Sequence, residues 1–249
     1  MNIVLWLTYG LRNLRSGLQG FWILLTCLTL GVASISIIGS LSASIDRGLA
    51  EQGQPLLGGD LEFSLVQHEV DAKQFDYIAS KGEVSRVATL RAMANAAGKA
   101  TLVEIKAVDG AYPLYGKLRA EDDHPINVSA GPINSIWVDP LLLGRLNIKI
   151  GDTLKLGNAV LAIQGVIKTE PDRISDGITL GPRLLMSQDT LKATGLVQPG
   201  SLVTWRYRVK LQGTTDLSAA KSLVKEAETK FPSAGWRIRT RDGAAAGAE

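Results

Sequence analysis

Reactive side chains are scarce in this chain of 249 residues, and each scarcity closes off a class of chemistry. Cys27 is the one cysteine, so no disulfide forms within the chain, although that does not exclude a bacterial periplasmic location. The two histidines, His68 and His124, stand far apart, with no H-x-x-x-H, no cysteine partner and no carboxylate at metal-helix spacing. Asp122-Asp123-His124 therefore reads as a solvated loop rather than a metal contact, and no cofactor is implied. No G-x-S-x-G offers a nucleophilic serine. The nearest approach to a phosphate loop, Gly110 to Leu118, has five residues between its glycines where a P-loop has four. It also places Leu118 where Ser or Thr must hold magnesium, and Pro113 and two tyrosines crowd it. Nucleotide hydrolysis by that route is excluded. The excess of 27 Lys and Arg over 24 Asp and Glu is too small for a protein that neutralises many phosphates at once, so nucleic acid is not an expected partner. No repeat of fixed period is visible.

Charge is missing altogether from the 30 residues Ser16 to Ile45. The central 22 residues, Gly20 to Leu41, would span the roughly 30 Å hydrocarbon core as a helix. Arg12 and Arg15 precede the span without an acidic residue, whereas Asp46, Arg47 and Glu51 follow it, which predicts a cytoplasmic N-terminus and an external remainder. Ser42-Ala43-Ser44 would suit a signal-peptide cleavage site, but the apolar run is longer than the usual h-region of roughly 7 to 15 residues, which favours an anchor. Before the span, Ile3, Val4, Leu5, Trp6, Leu7, Tyr9 and Leu11 are apolar while Asn2, Thr8, Arg12 and Asn13 are polar, as in a helix lying in the interface or an early start of the span. Gly20, Gly31, Gly39, Thr26, Thr29, Ser34, Ser36 and Ser40 are the small residues found where membrane helices pack, or else tolerated background.

Beyond residue 59, 190 residues with 24 basic and 22 acidic groups have the composition of an ordinary soluble domain. Ser44 to Gln52 keeps a helical pattern as a stalk that stops at Gly53 and Pro55. Alternation predicts a strand at Leu61 to Leu65, and further strands are expected at Val84 to Ala94 and Ala100 to Val108, joined by a turn at Asn95 to Lys99, and at Val203 to Leu211 and Gly235 to Thr240. Thr153 to Leu156 and Ala159 to Ile163 around Gly157-Asn158 form a hairpin. Helices are predicted from Asp71, from Asp139-Pro140 and from Asp216, the last burying Leu217, Ala220, Leu223, Val224, Ala227 and Phe231 and ending at Pro232. Mixed elements without regular alternation indicate an α+β fold.

Residues 205 to 241 carry nine basic groups against three acidic ones. Alternation places Arg206, Arg208 and Lys210 on one strand face and Arg237, Arg239 and Arg241 on another. If the strands are neighbours, they form a basic patch for anionic lipid headgroups or an acidic partner. The plainer alternative is two solvated strand faces with Trp205, Tyr207 and Trp236 in the core.

The order of elements resembles a known family. Leu11-Arg12-Asn13-Leu14-Arg15, one transmembrane helix, a stalk, Leu57-Gly58-Gly59-Asp60-Leu61, Leu146 to Gly157 and Asp172-Arg173-Ile174-Ser175-Asp176-Gly177 look like the permease subunit of FtsX-like, MacB-type ABC transporters, in particular the YbbP-like branch. The resemblance implies residues 1–15 as a cytoplasmic or interfacial helix, 16–45 as the transmembrane helix and 46–57 as the stalk. It further implies 58–241 as an extracytoplasmic α+β domain of the MacB-like periplasmic core type, and 242–249 as a tail leading to a missing second span. On that basis the chain is a truncated or fragmentary permease of the bacterial inner membrane that does no enzymatic chemistry. It would work with a cytoplasmic ABC ATPase, the lipid bilayer, and either a second copy or the remaining permease helices. Its substrate would be a lipid, a lipoprotein or an envelope protein. The competing class is a single-pass, membrane-anchored binding or scaffolding module without a transporter partner.

Overall fold

The computed structural model describes residues 22–40, 57–173, 181–212 and 217–241. The chain divides into two units, Met1–Leu49 and Ala50–Glu249. In the first, helix α1 (Trp22–Ser40) is 19 residues long, which at 1.5 Å per residue gives about 28 Å, the thickness of a bilayer core. Its hydroxyls are satisfied within the helix: Thr26 Oγ1 donates to the Trp22 carbonyl at 2.7 Å and Ser34 Oγ to the Leu30 carbonyl at 2.8 Å. Bonds of this kind let Ser and Thr sit among apolar side chains at little cost. The interfacial helix, the stalk up to residue 56 and Asp216 lie outside the described residues.

The second unit is built on one mixed sheet. Its elements are β1 (Leu61–Val66), α2 (Ala72–Ala79), β2 (Gly82–Ala96), β3 (Lys99–Val108), β4 (Arg119–Ala120), β5 (Ser135–Val138), α3 (Pro140–Leu146), β6 (Thr153–Leu156), β7 (Ala159–Thr169), β8 (Arg183–Ser187), α4 (Gln188–Thr194), β9 (Thr204–Leu211), α5 (Leu217–Lys230) and β10 (Arg237–Thr240). The strand order is β10-β1-β9-β2-β3-β8-β5-β7-β4, and β6 pairs both β2 and β7. Those last pairings close a ring of six strands, β2-β3-β8-β5-β7-β6, while β9, β1 and β10 extend as a wing from the first half of β2. At 15 residues β2 is long enough to belong to both. It pairs β9 over Gly82–Thr89 and β6 only at Ala94 and Asn95, so Leu90 to Met93 have no strand on that edge.

Local signals start the helices. Asp71 caps α2 in a reciprocal box with Gln74, and Asp139 caps α3 with Pro140 in its first turn. Gly157 turns the β6–β7 hairpin with φ of 57°, and a β-carbon there would lie 2.3 Å from the Thr194 carbonyl, so no other residue fits. One apolar layer runs through the ring and beneath the wing, joining Ile105, Ile136, Leu142, Leu161 and Leu184 to Phe63, Leu65, Trp205 and Tyr207. Phe231 after α5 and Trp236 before β10 stack edge to face on Tyr77 and Phe63. The opposite face carries a smaller cluster, Val87, Val108, Leu118, Ile126, Ile167 and Leu185, under the loop of residues 109–134.

Burial and the nearby Glu69 carboxylate push the Tyr207 phenol from 10.0 up to about 12. The folded state then holds this proton more tightly than the unfolded chain does. Its contribution to stability is therefore intact below about pH 10 and is lost as pH climbs through about 12. Thermal unfolding of the Tyr207→Phe chain should show a shallower alkaline decline over that window than the unmodified chain; superimposable profiles would disprove this.

Candidate functional site

Alternation along β1 and β9 aims two sets of side chains at opposite faces of the wing. On one face Phe63, Leu65, Trp205 and Tyr207 join the apolar core. On the other, Glu62 stands directly opposite Arg208 across the strand pair. Both are buried, and Arg208 Nε donates to Glu62 Oε2 at 3.0 Å. The same face of β3 and β8 supplies Glu104, Lys106 and Arg183, and the chain after β7 supplies Glu170 and Asp172. The result is a buried ionic seam in which Asp60, Glu62, Glu104, Glu170 and Asp172 meet Lys106, Arg183, Arg206, Arg208 and Arg241.

Asp172 is its centre. Lys106 Nζ donates to Asp172 Oδ2 and to Glu170 Oε1, each at 2.7 Å, and the Arg208 guanidinium binds the same Asp172 oxygen. The Tyr112 hydroxyl donates to Asp172 Oδ1 at 2.6 Å, and burial holds that phenol above its ordinary pKa, so it stays a donor. Tyr115 donates to Asp60 Oδ2 at 2.8 Å. The two tyrosines that spoil a phosphate loop between Gly110 and Leu118 are thus side chains that plug this seam. Asp60 also accepts from the Leu211 amide at 3.0 Å and lies 3.6 Å from Arg241 Nη1, which links the start of the domain to its end.

Two of the short motifs that carry the resemblance meet here. Gly58, at φ of 73°, lies under Arg208, where a β-carbon would come within 3.1 Å of its side chain. Asp172 reaches Arg208 from the other side, and Arg173 Nη2 donates to Asp139 at 2.7 Å. Ile174, Ser175, Asp176 and Gly177 lie outside the described residues.

The structure rearranges the basic patch expected from the sequence. The strands β9 and β10 are not neighbours, because β1 lies between them. Arg208 and Arg241 are buried against carboxylates rather than displayed, since Glu62, Asp172 and Asp60 offset the cost of desolvating them. Lys210 is half-exposed, 3.9 Å from Glu83. Arg206, Arg237 and Arg239, however, line one open cavity of about 390 Å³ together with His68. A second cavity of about 470 Å³, at the open edge of β2, shares Val66, Thr204 and Arg206 with the first and adds Arg91. Arg206 Nη1 donates to Thr89 Oγ1 at 2.8 Å, which fixes it between the two. The pairing of Arg208 with Glu62 escapes sequence inspection because the two lie 146 residues apart. His124 is exposed beside Asp122 at 3.1 Å, away from His68. Among the described residues no cluster of three His, Cys, Asp or Glu could hold a metal ion.

The chain thus joins a helix of membrane length to an α+β domain with a closed strand ring and a buried ionic seam. No protein-family model matches the chain. It is 35% identical over 182 residues, 73% of its length, to an ABC transporter permease of Escherichia coli K12, the uncharacterised YbbP. Its fold is that of the extracellular domain of the ABC-type transporter YknZ from Gram-positive bacteria, at a TM-score of 0.50 and 10% identity over 72% of this chain and all of that one. The periplasmic region of MacB from Actinobacillus actinomycetemcomitans aligns at a TM-score of 0.49 and 11% identity, over 76% of this chain and 92% of that one. The chain is thus similar in sequence to an ABC transporter permease, and its second unit has the fold of a transporter's extracellular domain. It spans 22% of the length of YbbP.

Removing one partner of a buried ion pair strands the other, at a cost of about 3–5 kcal/mol. Lys106→Met, which leaves Glu170 to Arg183 and Asp172 to Arg208 with one cation too few, should lower the urea midpoint of the detergent-solubilised chain, and adding Glu170→Gln should restore part of the loss. Equal midpoints for Lys106→Met and the unmodified chain would show that the seam contributes nothing to stability.

Proposed function

We propose that this chain acts in a permease subunit that couples a separate cytoplasmic ABC ATPase to mechanical work outside the membrane, on lipids, lipoproteins or an envelope partner. The observation that carries the reading is the 35% identity to an ABC transporter permease along 73% of the chain. In this reading the N-terminus faces the cytoplasm of a bacterial inner membrane, Leu11 to Arg15 lie near the ATPase, and α1 transmits motion. The external domain receives that motion at one corner. Its first residues, Leu57 to Asp60, and its last, Arg241, are tied together through Asp60, so displacement of the entering chain reaches β1, β9 and β10 together. In this reading the chain performs no bond chemistry of its own.

The test is retention of a partner. An ABC ATPase should be encoded beside this gene and, co-expressed with the full chain and extracted in a mild detergent, should remain bound through affinity purification. An ATPase that washes away, or a gene neighbourhood without one, would overturn the reading in favour of a single-pass anchored scaffold.

A further inference from the structure

The two cavities adjoin at Val66, Thr204 and Arg206, and the cleft they make carries outer arginines, Arg91, Arg237 and Arg239, that the ionic seam does not use. Its acidic wall residues are already engaged. Glu62 accepts from Arg208 at 3.0 Å, and Glu104 lies 3.6 Å from Arg183. Its cations are the surplus. Among the described residues, no carboxylate lies within ion-pair distance of Arg91, Arg237 or Arg239, and none of the three guanidinium groups makes a hydrogen bond; the Arg237 backbone carbonyl accepts one, from Ser64 Oγ at 3.2 Å. The cleft therefore presents uncompensated guanidinium groups, which bind a phosphate oxygen pair in a planar fork.

The same cleft is also apolar where it opens. Val66 is 54% exposed and Leu202 75% exposed, and Leu202 lines the cavity that contains Arg91. Large aliphatic side chains beside unpaired arginines fit a ligand with an anionic head and an apolar body better than a free anion or an acidic peptide, neither of which would cover them. We propose that this cleft binds the phosphate headgroup of an anionic membrane lipid, with Arg206, Arg237 and Arg239 on the phosphate and Val66 and Leu202 against the first carbons of the acyl chain. The proposal rests on the reading of the external domain as the part that works on envelope components, and it names lipid as the component.

The test uses the full chain in phosphatidylcholine nanodiscs, with empty nanodiscs as the blank, and saturation-transfer NMR on four soluble probes. These are dihexanoyl-phosphatidylglycerol, dihexanoyl-phosphatidylcholine, glycerol phosphate and a tetraglutamate peptide. The phosphatidylglycerol should bind about tenfold more tightly than the phosphatidylcholine, and the double reversal Arg237→Glu with Arg239→Glu should weaken it by about tenfold or more. Leu202→Asp should weaken the lipid probe and leave glycerol phosphate unchanged. Should the reversals lower the melting temperature, Arg237→Gln with Arg239→Gln replaces them and must still weaken the lipid probe. Equal binding of the two lipids overturns the proposal, as does glycerol phosphate or tetraglutamate binding as tightly as phosphatidylglycerol, or an affinity indifferent to the arginine changes. The arginine variants should keep the ATPase bound, so a failed lipid test leaves the permease reading standing and a lost ATPase leaves the lipid result readable.

Discussion

Arg208 is the residue around which the wing of the sheet is arranged. Burying a guanidinium is unfavourable unless every neighbouring acceptor is in place, and its acceptors come from Glu62 on β1 and from Asp172 after β7. Such a site tolerates one strand register. Sliding β9 by a single residue would turn Arg208 into the layer of Phe63, Tyr207 and Trp205 and turn Tyr207 onto the carboxylates. The charge network thus does in this domain what apolar pattern alone does elsewhere. It selects the pairing, and it closes only when segments far apart in the chain have all arrived.

The closed ring and the wing share β2, and that sharing creates the open cleft. A strand of 15 residues cannot be covered along one edge by β9 and β6 together, since the first ends its pairing at Thr89 and the second starts at Ala94. Leu90 and Arg91 of the uncovered stretch line one cavity with Leu196, Ser201 and Leu202, from the chain that leads into β9. Rigid, fully paired elements therefore surround an edge that no strand fills, with Arg206 held by Thr89 at the boundary. A binding surface built in this way is preorganised by its frame.

Much of the architecture is legible in the sequence because local rules govern it. The caps at Asp71 and Asp139, the Gly157-Asn158 hairpin and the alternation of β1, β2, β3 and β9 all use signals within a few residues. The strand β8 escapes because four of its five residues are buried, so Arg183-Leu184-Leu185-Met186-Ser187 shows no alternation, and because Ser187 both ends the strand and caps α4 with no linker between. The short runs of β4 and β5 lack the length for a period to show. For the site, charge was the misleading signal. Arginines at every second position read as a solvated face, yet whether an arginine is displayed or buried depends on carboxylates that only the tertiary pairing brings near. Glu62 and Arg208 could be matched only by knowing that β1 inserts between β9 and β10.

The excess of nine basic over three acidic groups between residues 205 and 241 accordingly divides into two populations with different physics. Arg208 and Arg241 are balanced by acids drawn from outside that stretch, and they act as structure. Arg237 and Arg239 receive no such balance, and Arg206 stands between the groups, sharing Glu62 at 3.9 Å while lining the cleft. Fold stability does not call for uncompensated arginines beside exposed Val66 and Leu202, because a solvated lysine or serine would serve a wing surface equally well. The buried seam neutralises its own charge, so the field that reaches solvent at this face comes from the arginines left over. That separation gives the domain an interior whose charges are matched and a cationic, partly apolar mouth, in one continuous piece of sheet.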